Sequence, residues 1–211
     1  MEEIILLGMG GHAHSVVDSI EREGRYHIAG FLDPGAAIGE CYKDYRVIGT
    51  DDALPYFYDQ GITNAFITVG YMGTGKVRER LYDRLKQTGY KIPNIIDPSA
   101  VAANHILMGE GNFVGKNAVI NAGAIIGDMC IINTAAVIEH DCRIGNYVHL
   151  AVGSIVCGDV LIEERSFIGA GSVIIQGVSV GKDVLVGAGT VVTQDVADHM
   201  LRYGSVIKCR E

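Results

Sequence analysis

Residues 114–155 read VGKNAV-INAGAI-IGDMCI-INTAAV-IEHDCR-IGNYVH-LAVGSI when the chain is divided into groups of six. The first residue of every group is aliphatic, and the pattern continues to Val192. The aliphatic residues, in steps of six, are Val114, Ile120, Ile126, Ile132, Ile138, Ile144, Leu150, Val156, Ile162, Ile168, Ile174, Val180, Val186 and Val192. A fixed period sustained over this length is typical of a repeat protein in which each coil packs on its neighbours.

A small residue usually stands two places before each aliphatic residue, and glycine often follows it. The small residues are Ala118, Ala124, Cys130, Ala136, Cys142, Ser154, Ser166, Ser172 and Thr190. Because alternate side chains of a strand point to the same face, each small residue should face inward with its aliphatic neighbour. We expect this glycine, or an asparagine in the same place, to permit the turn that follows. Stacked coils would then share one narrow apolar core, as in a solenoid.

These repeats resemble the hexapeptide-repeat acyltransferases over residues 98–195. The resemblance implies an all-β, left-handed parallel β-helix with three hexads in each triangular coil. Its handedness comes from the resemblance alone, because the period does not determine it. Val101 and Leu107 fit the pattern only after a slip of one residue, so we expect a bulged corner at residues 109–111. The repeat should end after Val192.

The first 97 residues carry a different pattern, which predicts a small, Rossmann-like α/β domain. An apolar run at residues 4–7 suits a buried strand, a glycine-rich loop follows, and Val16, Val17 and Ile20 share one side of the next stretch. Further strands are predicted at residues 27–32, 47–48 and 65–69, and a helix at the spacing of Val77, Leu81 and Leu85. We therefore predict two domains, residues 1–97 and residues 98–211 with a C-terminal tail.

Composition excludes several classes of function. With 17 Lys and Arg against 25 Asp and Glu, the net charge is −8, and the chain lacks the basic patches of nucleic-acid-binding proteins. The apolar run at residues 4–7 is too short for a signal sequence or a membrane span, so we expect a soluble, cytoplasmic protein without a membrane partner. The five cysteines form no CxxC pair, which argues against a disulfide framework and a zinc cluster.

The glycine loop, GMGGHA at residues 8–13, matches the loose G-x-G-x-x-A pattern of a phosphate-binding loop. Glycines let the backbone approach a phosphate, and a helix that begins near His12 offers free amides and the positive end of its dipole. Asp33, at the end of the second predicted strand, can reach ribose hydroxyls. One α/β half suits a mononucleotide better than a dinucleotide. A tight turn without a ligand is the alternative.

A second candidate site combines Glu139-His140-Asp141 with His149. His140 lies two residues after Ile138, so we expect it near a corner and outside the aliphatic core. An adjacent carboxylate can orient an imidazole and raise its basicity, as a general base for an amine or a hydroxyl requires. The alternative is a solvated surface histidine.

Two other chemistries are weaker alternatives. Zinc held by His105, His140 and His149 would resemble the gamma-class carbonic anhydrases, but the spacing of the last two departs from the close pair in that family. A covalent route through Cys142 or Cys157 is less expected, because Cys142 occupies a small inward position and a buried thiol without a base is inert.

Taken together, the motifs make the chain similar to the sialic acid O-acetyltransferases and UDP-4-amino-sugar N-acetyltransferases over nearly its whole length. The motifs are Gly10-Gly11-His12, Phe31-Leu32-Asp33, Asn133 and Glu139-His140-Asp141. The resemblance implies that His140 accepts a proton, that Asp141 enhances its basicity, and that His149 contacts the acetyl thioester.

The same resemblance implies the ligand contacts. Ala170 and Ala188 would line the acetyl-CoA channel through their backbones. The residues expected to bind the UDP-sugar are Gly10, Gly11, His12, Asp33, Gly70 near the uracil, and Asn133. The chain departs from the family at Pro34, where some relatives have Asp, at His14, where Lys or Gly is common, and at residues 204–207, which replace a terminal Gly-x-Pro-Ala.

We therefore expect a homotrimeric acetyltransferase that needs acetyl-CoA and no metal. It would acetylate the amino group of a UDP-linked 4-amino-4,6-dideoxy sugar by direct transfer. O-acetylation of sialic acid or another sugar, a zinc hydrase and a non-catalytic nucleotide-sugar sensor are the alternatives.

Overall fold

A computed structural model describes residues 1–71 and 76–204, and the chain divides into two compact units. The first unit spans Met1–Pro98, and the second begins at Ser99. Residues 205–207, where the sequence departs from the family's terminal motif, lie outside the described residues. None of the helices in the described ranges is both long and apolar enough to cross a membrane.

The first unit is an α/β fold around a five-stranded sheet with the order β3-β4-β2-β1-β5. Its elements are β1 (Glu2–Leu7), α1 (Gly11–Glu23), β2 (Tyr26–Leu32), β3 (Cys41–Tyr42), β4 (Tyr45–Gly49), a 3-10 turn (Asp51–Ala53), α2 (Leu54–Asp59), β5 (Asn64–Ile67), α3 (Val77–Thr88) and β6 (Ile95–Ile96). Strand β1 pairs in parallel with β2 and β5, and β2 pairs in parallel with β4. Only the short β3 runs antiparallel to its neighbour β4 among these pairings.

The predicted elements of this unit are present, with small shifts at their ends. Residues 4–7 of β1 are fully buried, and the apolar side of α1 that carries Val16 and Ile20 is buried as well. Helix α1 ends at Glu23 and is capped by Gly24, which adopts the left-handed conformation that glycine favours at this position. Strand β5 ends at Ile67, two residues earlier than predicted. The hydroxyl of the next residue, Thr68, lies within hydrogen-bonding distance of the carbonyl groups of Leu7 and Gly8, where β1 ends.

The second unit is a left-handed parallel β-helix built from strands of two residues. The strands are β7 (Val101–Ala102), β8 (Leu107–Met108), β9 (Phe113–Val114), β10 (Val119–Ile120), β11 (Ile125–Ile126), β12 (Ile131–Ile132), β13 (Val137–Ile138), β14 (Arg143–Ile144), β15 (His149–Leu150), β16 (Ile155–Val156), β17 (Leu161–Ile162), β18 (Phe167–Ile168), β19 (Val173–Ile174), β20 (Ser179–Val180), β21 (Leu185–Val186), β22 (Val191–Val192) and β23 (Leu201–Arg202).

These strands form three faces. The first face runs β7-β10-β13-β16-β19-β22, the second β8-β11-β14-β17-β20, and the third β9-β12-β15-β18-β21-β23. Each coil visits the faces in that order, and Val119 pairs with Val137, so residues 18 apart (137 − 119) are neighbours in adjacent coils. From β9 to β22 the second residue of each strand points inward and is buried, and the residue two places before it, which is usually small, is buried with it.

The corners use a different residue from the one predicted to permit the turn. Positive φ recurs at every sixth residue, three places after the inward aliphatic: His105, Gly111, Asn117, Gly123, Met129, Ala135, Asp141, Tyr147, Gly153, Asp159, Arg165, Gly171, Gly177, Asp183 and Gly189. The glycine directly after the aliphatic serves another purpose. A Cβ on Gly145 would lie 2.6 Å from the backbone nitrogen of Glu164, so this glycine allows the next coil to approach closely.

The predicted slip and bulged corner at residues 109–111 were wrong. Strands β7, β8 and β9 keep the six-residue step, and Gly111 occupies a regular left-handed corner with φ 69°. Val101 and Leu107 are the outward residues of their strands and are 62% and 63% exposed. In these first strands, pairing with the next coil sets the register. This pairing overrides the preference for the larger aliphatic residue to face inward.

Candidate active site

His140 and Asp141 form a hydrogen-bonded pair at the corner after β13. Asp141 Oδ2 lies 2.9 Å from Nδ1 of His140, and both side chains are exposed. Asp141 holds the left-handed corner conformation, with φ 61°, which turns its carboxylate back towards the preceding imidazole. Because Nδ1 faces the carboxylate, the other ring nitrogen, Nε2, remains available to exchange a proton with a ligand.

The pair has an electrostatic consequence for the histidine. The hydrogen bond to Asp141 raises the pKa of His140 above its ordinary value, and the negative charges of Asp141, Glu139 and Asp159 act in the same direction. A higher pKa makes the neutral imidazole a stronger base. The sequence-based pairing of these two residues is therefore present in the structure, in a form suited to proton transfer.

The backbone at this corner is held by the coils on either side. The N–H of Asp141 donates to the carbonyl of Ala122 at 2.9 Å, and the N–H of Asp159 donates to the carbonyl of His140 at 2.9 Å. The His140 N–H also lies 3.3 Å from Oε2 of Glu139. Adjacent coils thus fix the position from which the exposed imidazole projects.

His149 occupies the first, outward position of β15 on the third face. Its ring is mostly buried and meets the Phe167 ring edge to face, with centroids 5.0 Å apart. Sequence reasoning missed Phe167. The signal for it was present, because residue 167 follows residue 149 by 18, one full coil of three hexads.

The topology separates the predicted site residues of this unit into two groups. His140 and Asp141 lie at the corner between the first and second faces. His149 lies on the third face, and Asn133, Ala170 and Ala188 lie at the corner between the third and first faces. Ala170 and Ala188 are stacked in adjacent coils, with the Gly189 N–H donating to the Ala170 carbonyl.

Asn133 uses part of its polar capacity locally, because its Oδ1 accepts the Thr134 N–H at 2.8 Å. It shares its corner with the residues predicted to bind acetyl-CoA rather than with His140. In a triangular coil, the corner that carries His140 is opposite the face that carries His149. The structure therefore does not bring these two histidines together through the turns of a single coil.

Neither cysteine chemistry nor a metal cluster has structural support among the described residues. Burial raises the pKa of the Cys142 thiol, and its sulfur donates to the carbonyl of Cys157 at 3.0 Å. A protonated, buried thiol is a poor nucleophile. Within residues 1–71 and 76–204, no group of three or more His, Cys, Asp and Glu side chains is arranged to hold a metal ion.

The glycine loop lies at the carboxyl end of β1, where helix α1 begins. Gly10 is the N-cap of α1 and has no side chain to satisfy the helix amides, and no acidic residue occupies the first turn. A Cβ on Gly10 or Gly11 would meet no atom within 4 Å, so this backbone faces open space. Open helix amides with the positive end of the dipole suit a phosphate group.

The other predicted nucleotide-binding residues lie at the ends of neighbouring strands. Asp33 follows β2, and its carboxylate accepts the Met9 N–H and the Gly35 N–H, each at 2.7 Å. Gly70 follows β5, and a Cβ there would lie 3.7 Å from the Cβ of His12. The loop residues, Asp33 and Gly70 thus share one edge of the parallel sheet, which is where ligands bind in α/β folds of this kind.

Two family models match the sequence, one for each unit. Residues 3–85 match the PglD N-terminal domain. Residues 106–134 and 159–194 match the hexapeptide repeat of succinyl-transferase. The first family model thus covers the α/β unit, and the second covers parts of the β-helix.

Solved structures match the chain over almost its whole length. PerB from Caulobacter crescentus, in complex with CoA and GDP-perosamine, is 37% identical, with a TM-score of 0.88 over 95% of this chain and 93% of that chain. The acetyltransferase domain of PglB from Neisseria gonorrhoeae, in complex with acetyl coenzyme A, is 31% identical, with a TM-score of 0.87 over 95% of both chains. WeeI from Acinetobacter baumannii, 23% identical with a TM-score of 0.78 over 95% of this chain and 96% of that chain, shares the fold.

Proposed function

The chain belongs to the hexapeptide-repeat acyltransferases, in the subfamily with a PglD-type N-terminal domain, and on that premise we propose that it N-acetylates a nucleotide-linked 4-amino-4,6-dideoxy sugar. It is an acetyl-CoA-dependent acyltransferase. The 4-amino position follows from the similarity to perosamine N-acetyltransferase. A sugar hydroxyl is the second candidate acceptor and would need the same base, but the similarity to perosamine N-acetyltransferase favours an amine.

The proposed reaction is direct transfer in a ternary complex. The amine nitrogen attacks the thioester carbonyl carbon, a C–N bond forms, and the C–S bond breaks to release CoA. His140 Nε2 takes the proton from the amine, and that proton passes to the leaving sulfur, so that CoA departs as the thiol. A backbone N–H would stabilise the oxyanion. Holding both substrates together supplies much of the rate, and a general base contributes about 10²- to 10⁴-fold.

The observation that carries the proposal is the 2.9 Å contact between Nδ1 of His140 and Asp141, at an exposed corner. It holds the tautomer with a free Nε2 and raises the pKa of the histidine. In our proposal His149 contacts the thioester, Ala170 and Ala188 line the acetyl-CoA channel through their backbones, and Asn133 contacts the sugar substrate. No metal takes part.

The test is the release of free thiol from acetyl-CoA by a His140→Ala variant, together with product mass. We expect the rate to fall about 10²- to 10⁴-fold. His105→Asn is the matched control, because His105 is also exposed at the corner between the first and second faces, in an earlier coil. Asn tolerates the left-handed conformation of this residue. Near-full activity of His140→Ala would contradict the proposed base, and loss of activity in His105→Asn would favour the zinc alternative.

For the nucleotide, we propose that Gly10, Gly11 and His12 receive the diphosphate, that Asp33 receives the ribose, and that Gly70 lies near the base. UDP is the proposed nucleotide on the resemblance of these motifs. GDP is the second candidate, because PerB was solved with GDP-perosamine. Competition by UDP and GDP for the same 4-amino sugar nucleotide distinguishes them, since the matching nucleotide should inhibit at the lower concentration.

We further propose that the enzyme is a homotrimer. Two observations support it: His140 and His149 are on opposite sides of the coil, and the first face presents a column of exposed or half-exposed β-branched residues. That column is Val101, Val119, Val137, Ile155, Val173 and Val191. A thioester bound between copies would meet one histidine from each, and cyclic symmetry would repeat the site. Light scattering should give three times the chain mass.

We propose a cytoplasmic location. The cysteines in the described ranges are thiols, which suits a reducing compartment. Fractionation of cells that express the tagged protein would test this.

A further inference from the structure

The imidazole of His140 lies against the bare backbone of Gly158. A Cβ built on Gly158 would be 2.5 Å from Nε2 of His140, 2.6 Å from Cε1 and 3.1 Å from Cδ2. These three atoms are the nearest to the missing side chain, and all belong to one ring. Distances under 3.0 Å essentially never occur for a real Cβ, so any other residue at position 158 would displace the ring.

No backbone requirement explains this glycine. Gly158 does not have a positive φ, so an L residue could adopt its conformation. The contrast with Gly145 and Gly169 is informative, because at those positions a Cβ would meet the backbone of the next coil. Only at Gly158, among the described glycines, would the Cβ meet the imidazole ring of His140.

The repeat does not require glycine at this position either. Positions 122, 140, 158 and 176 are equivalent in successive coils, and Ala122 and Gln176 carry side chains. The coil-to-coil spacing is fixed by two hydrogen bonds, from the Asp159 N–H to the His140 carbonyl and from the Gly177 N–H to the Gly158 carbonyl at 3.0 Å. The space for the ring therefore cannot be made by separating the coils.

We infer that Gly158 is a positioning residue for the acetyl transfer, with its bare backbone forming the seat on which the His140 ring lies. The inference rests on the proposed function of His140 as the base. The seat limits the ring on the Nε2 side, while Asp141 limits it on the Nδ1 side at 2.9 Å. A side chain at this position would crowd Nε2 itself, the atom that takes the proton in the proposed reaction.

The test compares Gly158→Ala with Gly177→Asn as the matched control. Gly177 lies at a coil corner, and a Cβ there meets nothing within 4 Å. Asn is suited to its left-handed conformation, which Asp141 and Asp159 hold at the equivalent positions. We expect Gly158→Ala to lower kcat about 10²-fold, the typical cost of a misplaced catalytic group, with KM for acetyl-CoA within about twofold of the parent.

Two further readouts need no turnover. In the parent, the His140 pKa measured by NMR should lie above the ordinary histidine value of about 6.5. In Gly158→Ala it should fall, because the displaced ring loses its hydrogen bond to Asp141, whereas in Gly177→Asn it should not change. The second readout is a double-mutant cycle in Tm: once the ring is removed by His140→Ala, adding Gly158→Ala should cost no stability.

These outcomes distinguish the proposed role of Gly158 in positioning the ring from the proposed role of His140 as the base. A parental kcat and a parental His140 pKa in Gly158→Ala would overturn the inference, as would a Tm loss that persists in the His140→Ala background. If Gly158→Ala folds only together with His140→Ala, the steric contact is supported directly. Should His140→Ala stay active, the proposed function fails, yet the pKa and Tm comparisons still decide whether Gly158 seats the ring.

Discussion

The two units of this chain place their functional residues by different rules. In the β-helix, a residue's neighbours follow from its number, because positions 18 apart pair in adjacent coils. In the α/β unit, contacts join segments distant in sequence, as when Ser19 and Arg22 bind the buried carboxylate of Asp97. The neighbours of a site on the β-helix are therefore determined by its position in the repeat. The environment of the glycine loop depends instead on tertiary contacts between segments distant in sequence.

The largest expected effect tests whether each active site takes His140 and His149 from one chain or from two copies of the chain. His140→Ala and His149→Ala should each be nearly inactive alone. If one site takes His140 from one copy and His149 from another, random mixing of equal amounts restores about a quarter of the sites. Activity is measured after co-refolding the two variants or co-expressing them.

The control for this experiment is a mixture of two separate variants, His140→Ala and Asp141→Asn. Both defects lie at the same corner, so mixing should give no more activity than the two variants provide separately. Failure of the first mixture to recover would place both histidines in one chain's site, against the separation of the corner and the face.

Core substitutions should show how differently the units carry stability. Ile126 in the coil and Ile5 in the sheet are both buried, and replacing either by Ala should cost about 2–5 kcal/mol. In a solenoid each coil contacts only its neighbours, so Ile126→Ala should lower hydrogen-exchange protection mainly in the adjacent coils. Ile5→Ala should lower protection across the five-stranded sheet. If the loss of hydrogen-exchange protection spreads equally far in both units, the expected difference between them is wrong.

Smaller effects are expected from replacing one aspartate in each unit, Asp141 in the β-helix and Asp33 in the α/β unit. Asp141→Asn weakens the hydrogen bond that raises the His140 pKa most and removes the negative charge that acts in the same direction. The neutral imidazole is the active base, so activity falls as the pH drops through this pKa, and the variant's acidic limb should move to lower pH. Its kcat should fall about 10- to 10²-fold, because a weaker base accepts the proton less readily. The pH dependence of kcat measures both effects.

Asp33→Asn should act on binding and leave the acidic limb in place. The two Asp33 carboxylate oxygens accept the Met9 and Gly35 N–H groups, one each. Asn has a single acceptor oxygen, so the substitution removes one of these charge-assisted hydrogen bonds and weakens the other, which disturbs the loop. We expect the Kd of the nucleotide to rise about tenfold, for a loss of about 1.4 kcal/mol. Calorimetry with the free nucleotide checks this, and an unchanged Kd would remove Asp33 from the nucleotide site.

Sequence reasoning found the coil and the His140–Asp141 pair because both are local. The six-residue period records a repeated environment, and adjacent residues at a corner stay adjacent after folding. It failed where the decisive neighbour lies one coil away. The glycine directly after the aliphatic residue was predicted to permit the turn, yet at Gly145 a Cβ would meet the backbone of Glu164 in the next coil. Gly158, two places after Val156, drew no prediction, although a Cβ there would meet the ring of His140.

The same limit explains the other differences. The slip predicted near residues 109–111 came from ranking side chains by apolarity, whereas pairing with the next coil fixed Val101 and Leu107 outward. In the α/β unit, the sequence indicated that Asp33 is near the glycine loop but not that its two oxygens already bind backbone amides. Hydrogen bonds between distant segments leave no period in the sequence.

The smallest effect tests the corner rule itself, in which the left-handed residue stands three places after the inward aliphatic. Ala135 holds φ 55° on the surface, a conformation that costs a non-glycine residue about 1–2 kcal/mol, and part of this is regained by glycine. Ala135→Gly should therefore raise stability by about 1 kcal/mol, measured as a higher Tm. Ala118→Gly, at a buried inward position without positive φ, should lower stability by a similar amount, because it removes packed atoms and loosens the unfolded chain. If both substitutions destabilise equally, the corner does not carry the strain that its backbone angle implies.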